Sequence, residues 1–360
     1  MVVNITCSGT PFQIGQHHGS KCKKEVHGSI VFYSAYFLKN AKLDWPAAKA
    51  VAERFVPSLN SNCRHLVEEM KGIADGAGVE FLDIVALNVR TEISMGLLSD
   101  GCTALYCQES GVLAQNWDWE VPQGENIVVM HVIQRDMPSL ITVTEAGIVA
   151  KVGLNSSGVG ATLNAIRARG VDYSYLPVHV ALRLVLESTS RAEAVTLLTK
   201  TGVASACHIA VADGDGGVSG LECSFAEIQT LSVDEDGFYT HTNHYLVEHS
   251  GSKEAVLLPD SKLRLQRVNY LLRHAGMRKD TGGAMDQVEK ILEDEDNYPT
   301  AINRAVSDQS ASATLFGIVM DLKDKTARVR IGRPTEAIDS LKLAFNPKDV
   351  GSRGYQCVCM

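Results

Sequence analysis

Nothing in the 360 residues approaches the run of about 20 apolar residues that spans a bilayer. The opening Met1-Val-Val-Asn-Ile-Thr-Cys7 lacks the charged start and apolar core of a secretion signal, so a cytosolic protein is expected, with no membrane partner. No long Lys/Arg run is present, and 34 basic against 42 acidic residues give a net charge of −8, which argues against nucleic-acid binding. No CxxC pair and no Cys/His cluster at metal spacing occurs, so no metal is expected, and the chain is far too long for a disulfide scaffold. There is no internal repeat and no low-complexity linker, which favours one domain over 1–360.

What is present is an ordinary globular composition, 45% hydrophobic and 21% charged, with ample material for a core. The nine cysteines (Cys7, Cys22, Cys63, Cys102, Cys107, Cys207, Cys223, Cys357 and Cys359) are scattered and odd in number, as expected of reduced thiols. That background leaves a reactive thiolate chemically open.

The first hundred residues read as helices after a short strand over 2–7. Apolar spacing predicts helix over 12–38, broken near Gly19 or Gly28, then over 46–74 with Pro57 as an interruption, then over 81–95. His17 and His18 are adjacent and so point in different directions on a helix. They are read as surface or core polar groups. After Cys102 the pattern changes to short runs separated by Gly- and Asn-bearing turns. Strands are predicted over 103–107, 112–116, 127–134, 140–144, 150–154 and 159–163, then over 208–212, 218–223, 228–232 and 237–241, and finally over 314–321, 327–331 and 341–345. Helices are predicted over 178–187, 191–201, 261–274 and 285–293. Strand runs alternating with helix runs indicate packed antiparallel sheets flanked by helices, an α+β fold.

The chain turns on Ser99-Asp-Gly-Cys-Thr-Ala-Leu-Tyr-Cys107, where helix gives way to strand. Taken alone, a cysteine there reads as a buried core residue. Freed as a new terminus, Cys102 would carry a thiol nucleophile and an α-amine base (ordinary pKa about 7.7–8.0) on one residue. Gly101 lacks a Cβ, which lets a thiol approach the preceding carbonyl closely. Cys107 is an odd number of residues away on the same strand and should face the other side.

Several ordered motifs carry a resemblance. They are Gly9-Thr-Pro-Phe-Gln-Ile-Gly15, Leu87-Asn-Val-Arg-Thr-Glu92, Asp100-Gly-Cys-Thr103, Gln115-Asn-Trp-Asp118, Thr144-Glu-Ala-Gly147, His241-Thr-Asn-His244 and Asp294-Glu-Asp-Asn-Tyr-Pro299. Together they resemble the acyl-coenzyme A:6-aminopenicillanate / isopenicillin N acyltransferase family, whose members are cysteine-type N-terminal-nucleophile hydrolases. The resemblance implies a four-layer αββα sandwich. It also implies self-cleavage between Gly101 and Cys102 into a mostly helical 1–101 α fragment and a 102–360 β fragment, which stay together as a heterodimer.

The resemblance assigns further roles. Asp118 interacts with the free amine of Cys102, and the side-chain amide of Asn243 stabilises the oxyanion. Arg304 holds a carboxylate or the Asp118 network, and Ser224 and Asn116 are supporting residues. From the residues alone, Asp118 and Asn243 also read as turn formers at strand ends, and Arg304 as a surface ion-pair partner. His241 and His244 invite a Cys/His dyad or a metal, but a terminal amine base needs neither. Two departures stand out. Trp119-Glu120 replaces the aromatic residues that follow this Asn-Trp-Asp in penicillin-pathway members, so an acid borders the substrate pocket and a more polar or cationic substrate is favoured. The C-terminal Cys357-Val-Cys-Met360 is not a peroxisomal tripeptide; it has only the outline of a prenylation box, with no polybasic run before it.

The expected activity is therefore transfer of an acyl group from a thioester, acyl-CoA as co-substrate, or from an amide to an amine in secondary metabolism. No bound cofactor is expected. The alternatives are an amidohydrolase using the same acyl-enzyme, in which water is the acceptor, and an unprocessed scaffold without activity.

Overall fold

A computed structural model of the chain describes residues 1–94, 101–254, 258–308 and 310–345. Ser99 and Asp100 of the junction, and the 357–360 box, lie outside the described residues. The first strand, Val3–Ser8 (β1), leads into Pro11–Lys21 (α1). Thr10 caps that helix: its Oγ1 accepts from Gln13 N at 3.3 Å and Gln13 Oε1 accepts from Thr10 N at 2.9 Å. Lys23–Ala41 (α2) follows, and the break falls at Cys22, not at Gly19 or Gly28. Those two glycines lie inside helices where neighbouring chain comes very close. A Cβ on Gly19 would sit 2.2 Å from Ile73 O, and one on Gly28 2.0 Å from Asn126 Oδ1. They serve packing, not interruption.

The 46–74 run is three helices, Trp45–Glu53 (α3), Val56–Asn62 (α4) and Arg64–Ala77 (α5). Pro57 occupies the first turn of α4, where its missing N–H has no helical partner to lose. Phe81–Asn88 (α6) and Arg90–Ile93 (α7) complete the helical segment.

The strands then follow as Gly101–Cys107 (β2), Val112–Glu120 (β3), Ile127–Ile133 (β4), Leu140–Glu145 (β5), Val152–Asn155 (β6) and Gly160–Ala165 (β7). Val178–Glu187 (α8) and Arg191–Thr201 (α9) precede Cys207–Asp213 (β8), Gly217–Cys223 (β9), Ile228–Leu231 (β10) and Phe238–His241 (β11). Pro259–His274 (α10) and Thr281–Leu292 (α11) lead to Ser312–Asp321 (β12), Thr326–Ile331 (β13) and Asp339–Ala344 (β14). The last helix starts four residues before its apolar spacing does, because Asp280 caps it through Gly283 N at 2.9 Å.

Two sheets result. One runs β1-β4-β5-β6-β7-β8-β9-β10, the other β11-β2-β3-β12-β13-β14. All pairings are antiparallel except β1 with β4, which is parallel. The sequence pattern missed this because β1 returns to the sheet only after the whole α1–α7 segment, the kind of long crossover that parallel pairing requires. Gln115 on β3 bonds both backbone groups of Leu163 on β7, at 2.6 and 3.2 Å, and so ties the sheets face to face. Helices α8 and α9 pack on the larger sheet, α10 and α11 on the smaller. The arrangement is an α+β, αββα sandwich. Among the described residues no helix is long and apolar enough to cross a membrane.

Candidate active site

Strand β2 places Cys102 by its register. Cys102 pairs with Trp117 and Gly101 with Asp118 across β2 and β3. Side chains alternate along a strand, so Cys102, Tyr106 and Trp117 join the core between the sheets, whereas Leu105 and Cys107 join the cluster under α10 and α11. Cys107 does face away from Cys102, as the spacing predicts. On its other edge β2 pairs with β11, His241 opposite Ala104. Two residues further along that register, Asn243 comes level with Cys102.

Asn243 is held from four directions. Its Oδ1 accepts from Cys102 N and from Arg264 Nη2, each at 2.8 Å. Its Nδ2 donates to Ala165 O at 3.0 Å, and its backbone N–H donates to Ser261 Oγ at 2.8 Å. In the continuous chain the amide oxygen, not the amide nitrogen, faces Cys102.

Asp118 lies within β3, which runs on to Glu120 because it pairs with both β2 and β12. Its Oδ1 accepts from Thr314 Oγ1 at 2.7 Å and its Oδ2 from Arg304 Nε at 3.2 Å. Burial raises its pKa to about 6 from 3.8, although Arg304 and Arg264 pull it down. Thr314 Oγ1 also accepts the backbone N–H of Arg304 at 3.0 Å, so one hydroxyl fixes both members of the pair. The guanidinium of Arg304 continues to Asp260, and Asp260 accepts from Arg264 Nε at 3.2 Å. Burial would raise Asp260, but the two guanidiniums outweigh it and hold the carboxyl below its usual range. A Cβ on Gly101 would sit 2.7 Å from Asp118 Oδ2 and 2.8 Å from Arg304 Nε. A side chain there would displace the ion pair that seats against the chain, a reason for glycine distinct from thiol access.

The structure brings together Gly101, Cys102, Asp118, Asn243 and Arg304. The other predicted residues stand apart. Asn116 Nδ2 donates to Leu292 O at 2.8 Å and Ile302 O at 3.0 Å, anchoring the chain that carries Arg304. Ser224 spends its hydroxyl on its own turn, accepting from Ala226 N and Glu227 N. Trp119 and Glu120 are neighbours on β3 and so leave it on opposite faces. Trp119 is fully buried beside Trp117 and Tyr36, with ring centroids 6.3 and 5.2 Å away, while half-buried Glu120 ends the strand. Among the histidines, His241 sits between Thr242 O at 2.8 Å and Glu222 Oε1 at 2.9 Å. His244 is lowered to about 4 by burial and by neighbouring positive charge. His18 is buried and accepts from Gly147 N at 3.0 Å; His17 is exposed. Among the described residues no His, Cys, Asp and Glu set is arranged to hold a metal ion.

Sequence reasoning missed Arg264 and Asp260. The signal was present: Ser261, Arg264, Val268 and Leu272 form the buried stripe of α10, so an arginine occupies a core position of the helix. A cleft of about 730 Å³ opens over Arg304 and Asp260, with Arg167, Pro259, Pro299 and Asp308 on its walls. A second, of about 770 Å³, lies at the far end of β2 near Cys107 and Phe238.

Residues 107–336 match the family described as acyl-coenzyme A:6-aminopenicillanic acid acyl-transferase. The chain is 37% identical over 358 residues to the acyl-coenzyme A:6-aminopenicillanic-acid-acyltransferase 40 kDa form of Emericella nidulans, with 98% of each chain covered. Its fold is similar to that of penicillin V acylase from Agrobacterium tumefaciens, with a TM-score of 0.50 and 13% identity over 70% of this chain and 89% of that one. An N-acylethanolamine-hydrolysing acid amidase orthologue of Caenorhabditis elegans gives a TM-score of 0.43 at 17% identity, covering 62% of this chain and 93% of that one. On the family match and the near full-length identity, the chain belongs to the acyl-coenzyme A:6-aminopenicillanic acid acyl-transferase family.

Proposed function

We propose that this protein is an autoprocessed acyltransferase whose nucleophile is Cys102, moving an acyl group from an acyl-CoA thioester to an amine. One observation carries the reading. The Gly101–Cys102 peptide is gripped on both sides, by Asn243 Oδ1 at the Cys102 N–H and by the Asp118–Arg304 pair seated on Gly101.

In the cut, the Cys102 thiol adds to the Gly101 carbonyl. The C–N bond breaks as the C–S bond forms, and the thiol proton passes to the new amine. Water then hydrolyses this thioester, leaving a Gly101 carboxylate and a free Cys102 thiol and amine. In turnover the amine takes the thiol proton and the thiolate adds to the donor carbonyl; the C–S bond to CoA then breaks as the amine passes that proton to the leaving sulfur, giving an acyl-cysteine and CoA thiol. The acceptor amine attacks that thioester, the C–S bond to Cys102 breaks as the amide forms, and the proton lost by the attacking amine passes through the Cys102 amine to the Cys102 sulfur. Buried Asp118 faces the new terminus, where a carboxylate favours the protonated amine. The remaining Nδ2 proton of Asn243 is suited to the oxyanion, as the family role requires. In the continuous chain Cys102 is 1% exposed, which suits a precursor whose nucleophile is reached only after cutting.

The two fragments, 1–101 and 102–360, remain one domain in this reading. Buried polar contacts cross the cut: Glu69 with Arg183, Arg90 with Glu145, and Glu92 with Val178 N and Ser205.

The test is the intact mass of the purified protein beside Cys102→Ala. Two fragments, the larger beginning at Cys102, against one uncut chain in the variant, support the reading. One full-length mass in both points to the inactive scaffold. Incubation with acyl-CoA plus amines, beside N-acyl amines alone, then separates transfer from amide hydrolysis.

A further inference from the structure

Arg264 does more than neutralise Asp260, which Arg304 already pairs. Its Nη1 donates to Cys102 O at 2.6 Å and to Thr103 Oγ1 at 3.1 Å, and its Nη2 donates to Asn243 Oδ1 at 2.8 Å. Three of its hydrogen bonds therefore converge on the nucleophile strand and on the residue opposite it. Through Asp260 and Arg304 it also reaches Asp118, in a chain of alternating guanidiniums and carboxylates that runs from the Cys102 carbonyl to the seat on Gly101.

We infer that Arg264 is a positioning residue for the nucleophile, acting through the Cys102 carbonyl and the Asn243 amide in both cutting and turnover. The inference rests on Cys102 being the nucleophile. A guanidinium donates and never accepts, so the edge of Asn243 that meets Arg264 must be its oxygen. This settles the amide orientation, with oxygen toward Cys102 N and nitrogen toward Ala165 O. After cutting, Cys102 has no covalent neighbour on its amine side, and a strand that begins at its reactive residue frays unless tied down. Arg264 ties its carbonyl and, through Asn243, its nitrogen. Lysine keeps the charge but presents a single nitrogen, which cannot serve two acceptors in fork geometry.

The chain of four charges also sets a charge balance. Asp118 is faced by Gly101 from β2, Thr314 from β12, Arg304 from the chain after α11, and Asp260 and Arg264 from α10. Without Arg264, two carboxylates share one guanidinium and Asp118 keeps its proton to higher pH. A residue that merely supported the fold would not move that titration.

The experiment compares wild type, Cys102→Ala, Arg264→Gln, Arg264→Lys and, as a helix control, Arg267→Gln. It follows the appearance of the Cys102 fragment by mass, kcat and KM with an acyl-CoA and an amine, the pH profile, and thermal melting. Arg264→Gln is expected to slow cutting and kcat about 100-fold with KM nearly unchanged, the loss typical of a displaced reacting group. Its acid limb should move up by about one pH unit. Arg264→Lys should lose about tenfold with the limb in place, and Arg267→Gln should match wild type. Wild-type cutting, kcat and acid limb in Arg264→Gln overturn the inference. If that variant does not melt cooperatively, a folded Arg264→Lys with unchanged kcat overturns it instead. A wild-type chain that stays uncut removes the Cys102 reading itself, and this inference with it.

Discussion

Asn243 presents its side-chain oxygen to the Cys102 N–H at 2.8 Å, so the expected oxyanion donor meets the proposed nucleophile first as an acceptor. The amide therefore has two separable jobs, holding the Cys102 nitrogen through Oδ1 and donating from Nδ2. Asn243→Asp keeps the acceptor and loses the donor; Asn243→Ala loses both. Asn243→Asp should be cut but turn over about 10²–10³-fold more slowly, the usual loss for one oxyanion donor. Asn243→Ala should fail at both steps. Mass spectrometry of the fragments and steady-state rates read the two separately. Equal effects of both variants on cutting would exclude the acceptor role.

Asp118 titrates in a window that can be assigned a sign. Burial pushes it up to about 6, while an unfolded aspartate titrates near 3.8. Between those values the folded chain holds a proton that the unfolded chain has lost, so stability falls as pH rises. The full difference is roughly 3 kcal/mol, fully felt above pH 6. Urea unfolding from pH 4 to 7, in a Cys102→Ala background with and without Asp118→Asn, should show the native aspartate losing stability relative to asparagine across that window. A constant difference between the two would mean that Asp118 is ionised throughout.

Gly101 is tested by one methyl group. In Gly101→Ala the added carbon meets Asp118 Oδ2 and Arg304 Nε inside 3 Å, and both belong to an ion pair tied by Thr314. Overpacking of this kind costs about 1–3 kcal/mol. The pair should be displaced and cutting slowed at least about tenfold, with the circular dichroism spectrum unchanged. Cutting at the wild-type rate would show that the seat of the pair on Gly101 is dispensable.

Local rules made the strands and the Cys102/Cys107 opposition legible, because period-two alternation survives into the final sheets. The ordered motifs carried the family and, with it, the sandwich. What escaped were relationships made only by packing. Gly19 reads as a breaker until Ile73 is seen against it, and Asn116 reads as a supporting site residue or a turn former, with no sign in the sequence of its bonds to Leu292 and Ile302. Trp119 and Glu120 are adjacent in sequence, and adjacency on a strand sends them to opposite faces. Arg264 was hidden among the other arginines of a polar helix; only its place on the Val268–Leu272 stripe distinguished it.

Beside the β1–β4 ladder, Arg183 joins the two segments flanking the proposed cut, and its five N–H donors all find acceptors. Nη1 serves Glu69 Oε1 at 2.8 Å and Val149 O at 2.9 Å, and Nη2 serves Glu69 Oε2 at 2.7 Å and Gln134 Oε1 at 3.0 Å. Nε serves Glu187 Oε1 at 2.9 Å. Glu69 comes from α5, before the proposed cut, and Arg183 from α8, after it. In Arg183→Met the guanidinium disappears and both buried carboxylates are left without it, a loss of about 3–5 kcal/mol. In the uncut Cys102→Ala background this should lower the urea midpoint without changing its slope. In the processed protein the same loss should weaken the fragment complex, because no peptide bond then holds α5 to α8 and the β1–β4 ladder and shared core must carry more of the association. Native mass spectrometry should find a larger share of free 1–101 and 102–360 species in Arg183→Met than in wild type. An equal share in both would place the association on the β1–β4 ladder, the shared core, Arg90–Glu145 and the Glu92 contacts with Val178 and Ser205.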